Sequence, residues 1–170
     1  MKKIDITEWK EFDVKDLFIP NIVKNKVMLY NIKEQGITPV YASDSSSKNN
    51  AGYIDDEPEF RVNDEQPRYL IFGDHTKSMR IIENNFSVTD NVKVLSPKFK
   101  SRECLFFVMT SWLINIPDLG YSRHWSIAKK TKIKLPVDEN ENPDWDYMES
   151  FIKRLETRER ERVQAILQAI

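Results

Sequence analysis

Few side chains in this sequence are of the kinds that break bonds. There are two histidines, His75 and His124, and one cysteine, Cys104. A nucleophile needs a base within reach and a further group to orient that base. Asp74 and His75 are adjacent, but adjacency in sequence does not bring two side chains to one point, and His124 lies far along the chain. Two histidines and one cysteine at these separations match no zinc-ligand spacing. Carboxylates gather at Asp55, Asp56, Glu57, Glu59, Asp64 and Glu65. Pro58 and Pro67 break that run, and its spacing is not that of a calcium-binding loop. It reads as a solvated loop turned away from any phosphate partner. Glu139, Glu141 and Asp144 lack the lysine and the order of a restriction-nuclease site. No phosphate-binding loop, dinucleotide fingerprint, nucleophile elbow or methyltransferase motif is present, and there are only 4 glycines to build one. The chain reads as non-enzymatic, with no cofactor and no metal.

Other residues are of types that hold rather than cut. Ser43 to Gly52 (SDSSSKNNAG) offers nothing large and apolar to bury, so it must lie on the surface. Its hydroxyls and amides sit on short stems that suit phosphate oxygens and base edges. On chemistry alone, an ordinary solvated loop is the better reading. Lys129, Lys130, Lys132 and Lys134 make the densest basic patch. The formal net charge is -1, whereas a dedicated non-specific nucleic-acid binder would be strongly basic. Contact with DNA would have to come from local patches or depend on a partner.

Such loops need a frame. The stretch from Tyr69 to Leu95 (YLIFGDHTKSMRIIENNFSVTDNVKVL) supplies a core of short strands. Tyr69–Phe72, Met79–Ile82 and Phe86–Val88 are apolar runs separated by polar turns, and Asn91–Leu95 alternates with period two. They predict a compact β-meander. Trp9–Val14 predicts a strand, Val14–Phe18 a helical turn and Pro39–Ala42 a further strand. Lys26–Glu34 fits a helix or a strand equally. Cys104–Ile116 is apolar nearly all round and predicts a buried helix, with Ser101 as cap, Glu103 in its first turn and Pro117 as its stop. Trp125–Lys130 fits a helical turn, and Thr131–Leu135 an edge strand with lysines on its outer positions.

After the acidic linker Asp138–Pro143 the composition changes. Asp144 is a good N-cap, and no Gly or Pro follows. Met148, Ile152, Leu155, Val163, Ile166 and Ile170 form a stripe at spacings of three and four, broken at Glu159. A helix of about 25 residues spans about 38 Å, too long for a domain this small to cover its whole stripe. That stripe is the expected partner-binding, coiled-coil surface; a terminal helix folded back on its own domain is the alternative. The fold class is α+β, with a twisted, mainly antiparallel sheet, a packed buried helix and a long C-terminal amphipathic helix. Residues 1–142 are expected to form the domain and 143–170 a spacer or dimerisation helix.

The chain has 170 residues, 40% hydrophobic and 31% charged, which suits one globular domain with a real core. A single cysteine makes no intramolecular disulfide and fits a reducing compartment. The first residues carry no apolar signal-peptide core. No apolar run approaches the roughly 20 residues that cross a bilayer. A cytoplasmic location with no membrane partner is expected.

Four stretches in order also resemble one family. They are Trp9–Phe18 (WKEFDVKDLF), Gly36–Ser43 leading to Asn49–Ile54, Gly73–Leu95 (GDHTKSMRIIENNFSVTDNVKVL), and Gly120–Trp125 (GYSRHW) leading to Ile133–Pro136 (IKLP). Each is similar to a motif of the target recognition domains in specificity subunits of type I restriction–modification systems, and together they span most of the chain. The resemblance implies a non-catalytic DNA-recognition module that reads one half of a bipartite site. It implies double-stranded DNA and a methyltransferase (modification) subunit as partners, with a restriction subunit adding cleavage. One domain with a short helix departs from the family's two domains and long helices. A half-subunit forming a homodimer through the C-terminal helix, a fragment, and part of a type II relative all remain open.

The resemblance also reverses the reading of the polar loop. The expected DNA-binding residues are Ser45, Ser46, Ser47, Lys48, Asn49 and Asn50 in that loop; Asp74, His75, Thr76, Lys77 and Ser78 in the turn, with Arg80; Tyr121, Ser122 and Arg123; and Lys129 and Lys130. Arg80 and Arg123 suit guanine, and Asn49 or Asn50 suits adenine, each contact being worth about 1–3 kcal/mol of discrimination. Lys129 and Lys130 suit phosphates. A different class of function, a protein-interaction adaptor working through its C-terminal helix without DNA, fits the near-neutral charge.

Overall fold

The computed structural model describes residues 5–43, 50–120 and 122–168. In chain order it runs β1 (Lys10–Asp13), α1 (Val14–Leu17), β2 (Phe18–Asn21), a 3-10 turn at Leu29–Asn31, β3 (Thr38–Tyr41) and β4 (Gly52–Ile54). Then come β5 (Tyr69–Gly73), β6 (Met79–Ile82), β7 (Ser87–Val88), β8 (Val92–Pro97), α2 (Arg102–Asn115), α3 (Trp125–Ala128), β9 (Lys132–Leu135) and α4 (Trp145–Gln168). Among the described residues three sheets form, with strand orders β1-β9, β2-β8-β5-β6 and β4-β3-β7. The α+β class, the mainly antiparallel pairing, the packed helix and the long terminal helix agree with the expectation from sequence.

The four-stranded sheet is a partition between two cores. Successive side chains of a strand point to opposite faces. On β5, Leu70 and Phe72 enter the core beneath α2, while Tyr69 and Ile71 enter the other. A strand buried on both faces must be apolar throughout, which is why YLIF does not alternate. In the first core Trp112 of α2 stacks with Phe18 at 5.5 Å and Phe72 at 6.0 Å between ring centroids, and its indole N–H donates to the Ala128 carbonyl at 3.1 Å. In the second, Phe86 stacks on Phe60 at 5.1 Å.

The expected meander is corrected at β7. That strand leaves the sheet and pairs parallel with β3 (Val40↔Ser87, Tyr41↔Val88), while β8 returns along the other edge of β5. Phe86 and Val88 are wholly buried in the second core, which pulls this segment across to β3. The ambiguous Lys26–Glu34 is neither helix nor regular strand. It is held by single bridges, Val27 to Thr89 and Lys33 to Tyr53, on either side of the 3-10 turn.

The helix ends follow the caps read from sequence. Ser101 Oγ accepts from the Cys104 N–H at 3.3 Å, and Asp144 Oδ1 accepts from the Tyr147 N–H at 2.8 Å. The α4 stripe, however, divides. Met148 and Ile152 are buried and Leu155 is packed against the same core, facing α2. Phe151 meets Phe107 at 5.7 Å, and the Cys104 thiol donates to the Trp145 carbonyl at 3.2 Å. Burial pushes the Cys104 thiol up, so it is a packing group rather than a thiolate nucleophile. Met148, Ile152 and Leu155 therefore belong to the chain's own core, not to a partner surface. The reason is that α2 is apolar on the side facing α4 as well as on the side facing the sheet. Val163, Ile166 and Leu167 stay exposed, and Ile170 lies outside the described residues. Among the described residues no helix is long and apolar enough to cross a membrane.

Candidate nucleic-acid interface

The turn after β5 is built around Gly73. Its N–H donates to the Ser78 carbonyl and its carbonyl accepts from Lys77, both at 2.9 Å. A Cβ on Gly73 would lie 2.6 Å from Ser78 Oγ, 2.8 Å from Thr76 Oγ1 and 3.0 Å from Ser43 Oγ. Three hydroxyls thus crowd a position that only a bare backbone can fill. Two of them are linked, Thr76 Oγ1 donating to Ser78 Oγ at 2.9 Å, and the third, Ser43 Oγ, accepts from the His75 N–H at 3.3 Å. Ser43 is the first residue of the polar loop, so that loop begins against the turn.

Asp74 joins the turn to two further segments. Its N–H donates to the Asn91 carbonyl at 2.9 Å, and its own carbonyl accepts from the His124 N–H at 2.9 Å. Its carboxylate accepts from the Trp125 N–H at 2.8 Å, with Lys93 Nζ 4.0 Å from the other oxygen. His124 is 1% exposed; Nε2 accepts from the Leu119 N–H at 3.1 Å, and Nδ1 lies 3.1 Å from the Asp74 carbonyl. Those partners place the ring proton on Nδ1. Asp74 was expected among the DNA-binding residues; this is corrected, because at 2% exposure its carbonyl and one carboxylate oxygen are taken by the backbone of 124–125 and the other oxygen faces Lys93. Lys77 is also held inward. Its backbone is left-handed (φ 57°) and its ammonium donates at 3.1 Å to the Ile116 carbonyl, at the end of α2. A cation there also complements the helix dipole.

What these joints hold out is a polar rim. His75, Thr76 and Ser78 are half-buried, and Arg80 lies on β6 opposite Ile71. Burial raises the Tyr41 hydroxyl's pKa, while Asn84 and the nearby Arg80 charge oppose the rise. Ser122 and Arg123 are exposed beside His124. Arg123 lies close enough to Asp90 to help lower its pKa, though the larger cause is Lys26, whose ammonium contacts Asp90 at 2.8 Å. Lys26 and Lys93 are cations of this rim that the sequence pattern did not single out. Their signal was available only as pairings with Asp90 and Asp74, both long-range. Asn50 is half-buried at the far end of the polar loop. Ser45, Ser46, Ser47, Lys48, Asn49 and Tyr121 lie outside the described residues.

The basic patch does not stay together. Lys129 and Lys130 end α3, exposed and one turn from His124. Lys132 and Lys134 instead border a groove with Trp9, Phe107, Ile114 and Phe151. The acidic run is partly compensated rather than turned wholly aside. Lys33 contacts Asp55 at 2.5 Å, and Glu59 accepts from the Lys24 N–H and the Asn25 side chain.

Comparison with solved structures gives the same fold twice. The S subunit of a type-I restriction-modification system from M. genitalium superposes with a TM-score of 0.65 at 12% identity, covering 98% of this chain and 43% of that one. The HsdS subunit from Thermoanaerobacter tengcongensis gives 0.56 at 11% identity, covering 99% and 41%. The chain therefore spans less than half the length of either. No curated protein sequence matches it. The family model for the type I restriction modification DNA specificity domain matches residues 6–165. With nearly the whole sequence under that match, the chain belongs to the type I restriction modification DNA specificity domain family.

Proposed function

We propose that this chain is a non-catalytic module that reads one half of a bipartite DNA site and docks a methyltransferase subunit. The observation that supports this reading is the joining of three segments at Gly73–Asp74. The polar loop from Ser43, the turn 74–78 and the segment carrying Ser122 and Arg123 hang from one buried joint. A rigid frame holding polar side chains out over one rim is what base reading requires. In this reading Arg80, Arg123 and Asn50 read bases, while Lys26, Lys93, Lys129 and Lys130 hold phosphates. Residues 1–142, with the docked root of α4, form the recognition domain. The exposed tail of α4 is the spacer, and in a half-subunit it pairs with a second copy. Two-fold protein symmetry then implies a palindromic split site.

The test is selection of binding sites from a random duplex pool by the wild type and two variants. Arg123→Ala should relax preference at one base position. Lys129→Ala should weaken all sequences alike and lower the salt slope by about one. Identical behaviour of the two variants would refute this division of roles.

A further inference from the structure

We propose that Leu29 and Tyr30 form an apolar wedge that presses into the base stack of the bound duplex. The inference rests on the DNA-recognition reading above and adds a contact which that reading does not contain. Met28, Leu29 and Tyr30 are 53%, 72% and 81% exposed, a run of large apolar side chains left largely open to solvent. Side chains of this kind are normally covered by something.

Their exposure is built in. The 3-10 turn is closed by the Asn31 N–H on the Met28 carbonyl at 2.9 Å and the Ile32 N–H on the Leu29 carbonyl at 3.2 Å. Both ends of the segment are pinned. At one end the Val27 N–H donates to the Val88 carbonyl at 2.9 Å, and Lys26 meets Asp90 beside Arg123. At the other, Lys33 and Tyr53 exchange backbone hydrogen bonds at 2.8 and 2.9 Å. A Cβ on Gly52 would lie 2.4 Å from Ile32 Cγ2 and 2.6 Å from the Lys33 carbonyl, so the backbones touch. Asn50 is two residues from that contact.

The two feet of the turn therefore adjoin two candidate base-reading segments, the one carrying Arg123 and the one carrying Asn50. Lys26 and Lys33 stand at its two feet. Of the neighbouring carboxylates, Asp55 and Asp90 are paired with those same lysines, Glu59 accepts from the Lys24 N–H, and Asp56 lines one depression with Tyr30 and Lys33. An apolar point whose flanking lysines can exchange a carboxylate for a phosphate matches proteins that lever base steps apart while holding the phosphates. A protein partner would leave the flanking lysines and the two adjoining loops without a role.

The experiment uses the full chain. A site is first selected from a random duplex pool, and 2-aminopurine is then scanned across it. The wild type should change the probe's intensity at one step. Tyr30→Ala and Leu29→Ala should abolish that change and weaken binding by roughly tenfold or more, with the salt slope unchanged, as loss of base stacking does. Lys26→Ala should lower the salt slope and keep the intensity change. Selection of no sequence would overturn the DNA reading itself. A selected site with no intensity change, or variants that bind and perturb it as the wild type does, would overturn the wedge alone. Variants with intact DNA binding that lose a methyltransferase subunit would overturn it too, by assigning the tip to protein docking.

Discussion

The two halves of α4 carry apolar residues at the same helical spacing, on either side of the break at Glu159, and have opposite fates. From Trp145 to Leu155 the stripe is pressed into the domain, with Met148 wholly buried and Trp145 stacked on Phe99 at 4.5 Å. From Glu156 onward it stands free. Val163, Ile166 and Leu167 are 55%, 61% and 68% exposed. The boundary is marked by Arg102, which reaches from α2 to Glu156 at 3.1 Å where the two helices part. The difference teaches that the pattern of a helix says which face is apolar, and the place where it crosses its neighbour decides how much of that face is used. α4 meets α2 at Cys104, Phe107 and Arg102, all in the first half of α2, and then continues past it.

The sharpest way to break the comparison is to cut the helix at two places. A chain ending at Asn142 loses Met148 and Ile152 and exposes the α2 face beneath them, so it should show no cooperative unfolding. A chain ending at Glu156 keeps the root and should melt cooperatively. If the shorter chain melts as well as the longer one, the root is not part of the core. Light scattering on the full chain and the Glu156 version then reads the tail. A dimer that becomes a monomer assigns the tail to a second copy, and monomers in both cases remove the symmetric-site proposal.

Point substitutions give a smaller contrast. Met148→Ala should cost about 2–5 kcal/mol by removing buried volume. Val163→Ala should stay within about 0.5 kcal/mol. Paired denaturant titrations measure both, and equal costs would dissolve the distinction.

The smallest effect concerns pH. Lys153 lowers the Glu149 pKa at the root, and Arg158, then Arg162, lowers that of Glu159 in the tail. A carboxylate whose folded pKa is depressed adds stability above its unfolded pKa and loses it as pH falls through the folded value. Acidification through the carboxylate range should therefore reduce stability slightly, and Glu149→Gln should remove part of that slope in thermal melts. Glu159→Gln should change tail helicity and leave the melting temperature of the domain unaltered. These pairs are solvent-exposed, so the shifts are small.

What could be read from sequence was local. Ser101 and Asp144 mark their helices because a cap is a contact across three residues. Tyr69–Phe72 could be read as a strand from its composition, though not as a strand with a core on each face. The departure of β7 toward β3 was invisible, because partner choice depends on where Phe86 finds Phe60, and no period encodes it. The expected DNA-binding residues divided in the same way. The turn 74–78 and Arg123 were marked by the motifs that resemble the family. The inward roles of Asp74 and Lys77 depended on backbone groups about 40 to 50 residues away. The stripe misled beyond Asp144 because one period described both the docked and the free half.

The joint at Asp74 has a consequence for change over time. It ties main-chain groups of Asn91, His124 and Trp125 together and asks nothing of the side chains at the loop tips. Residues such as Ser122, Arg123 or Asn50 can be exchanged without loosening it. A protein assembled this way can acquire a new preference by substitutions at its margin, while the frame beneath goes on folding as before.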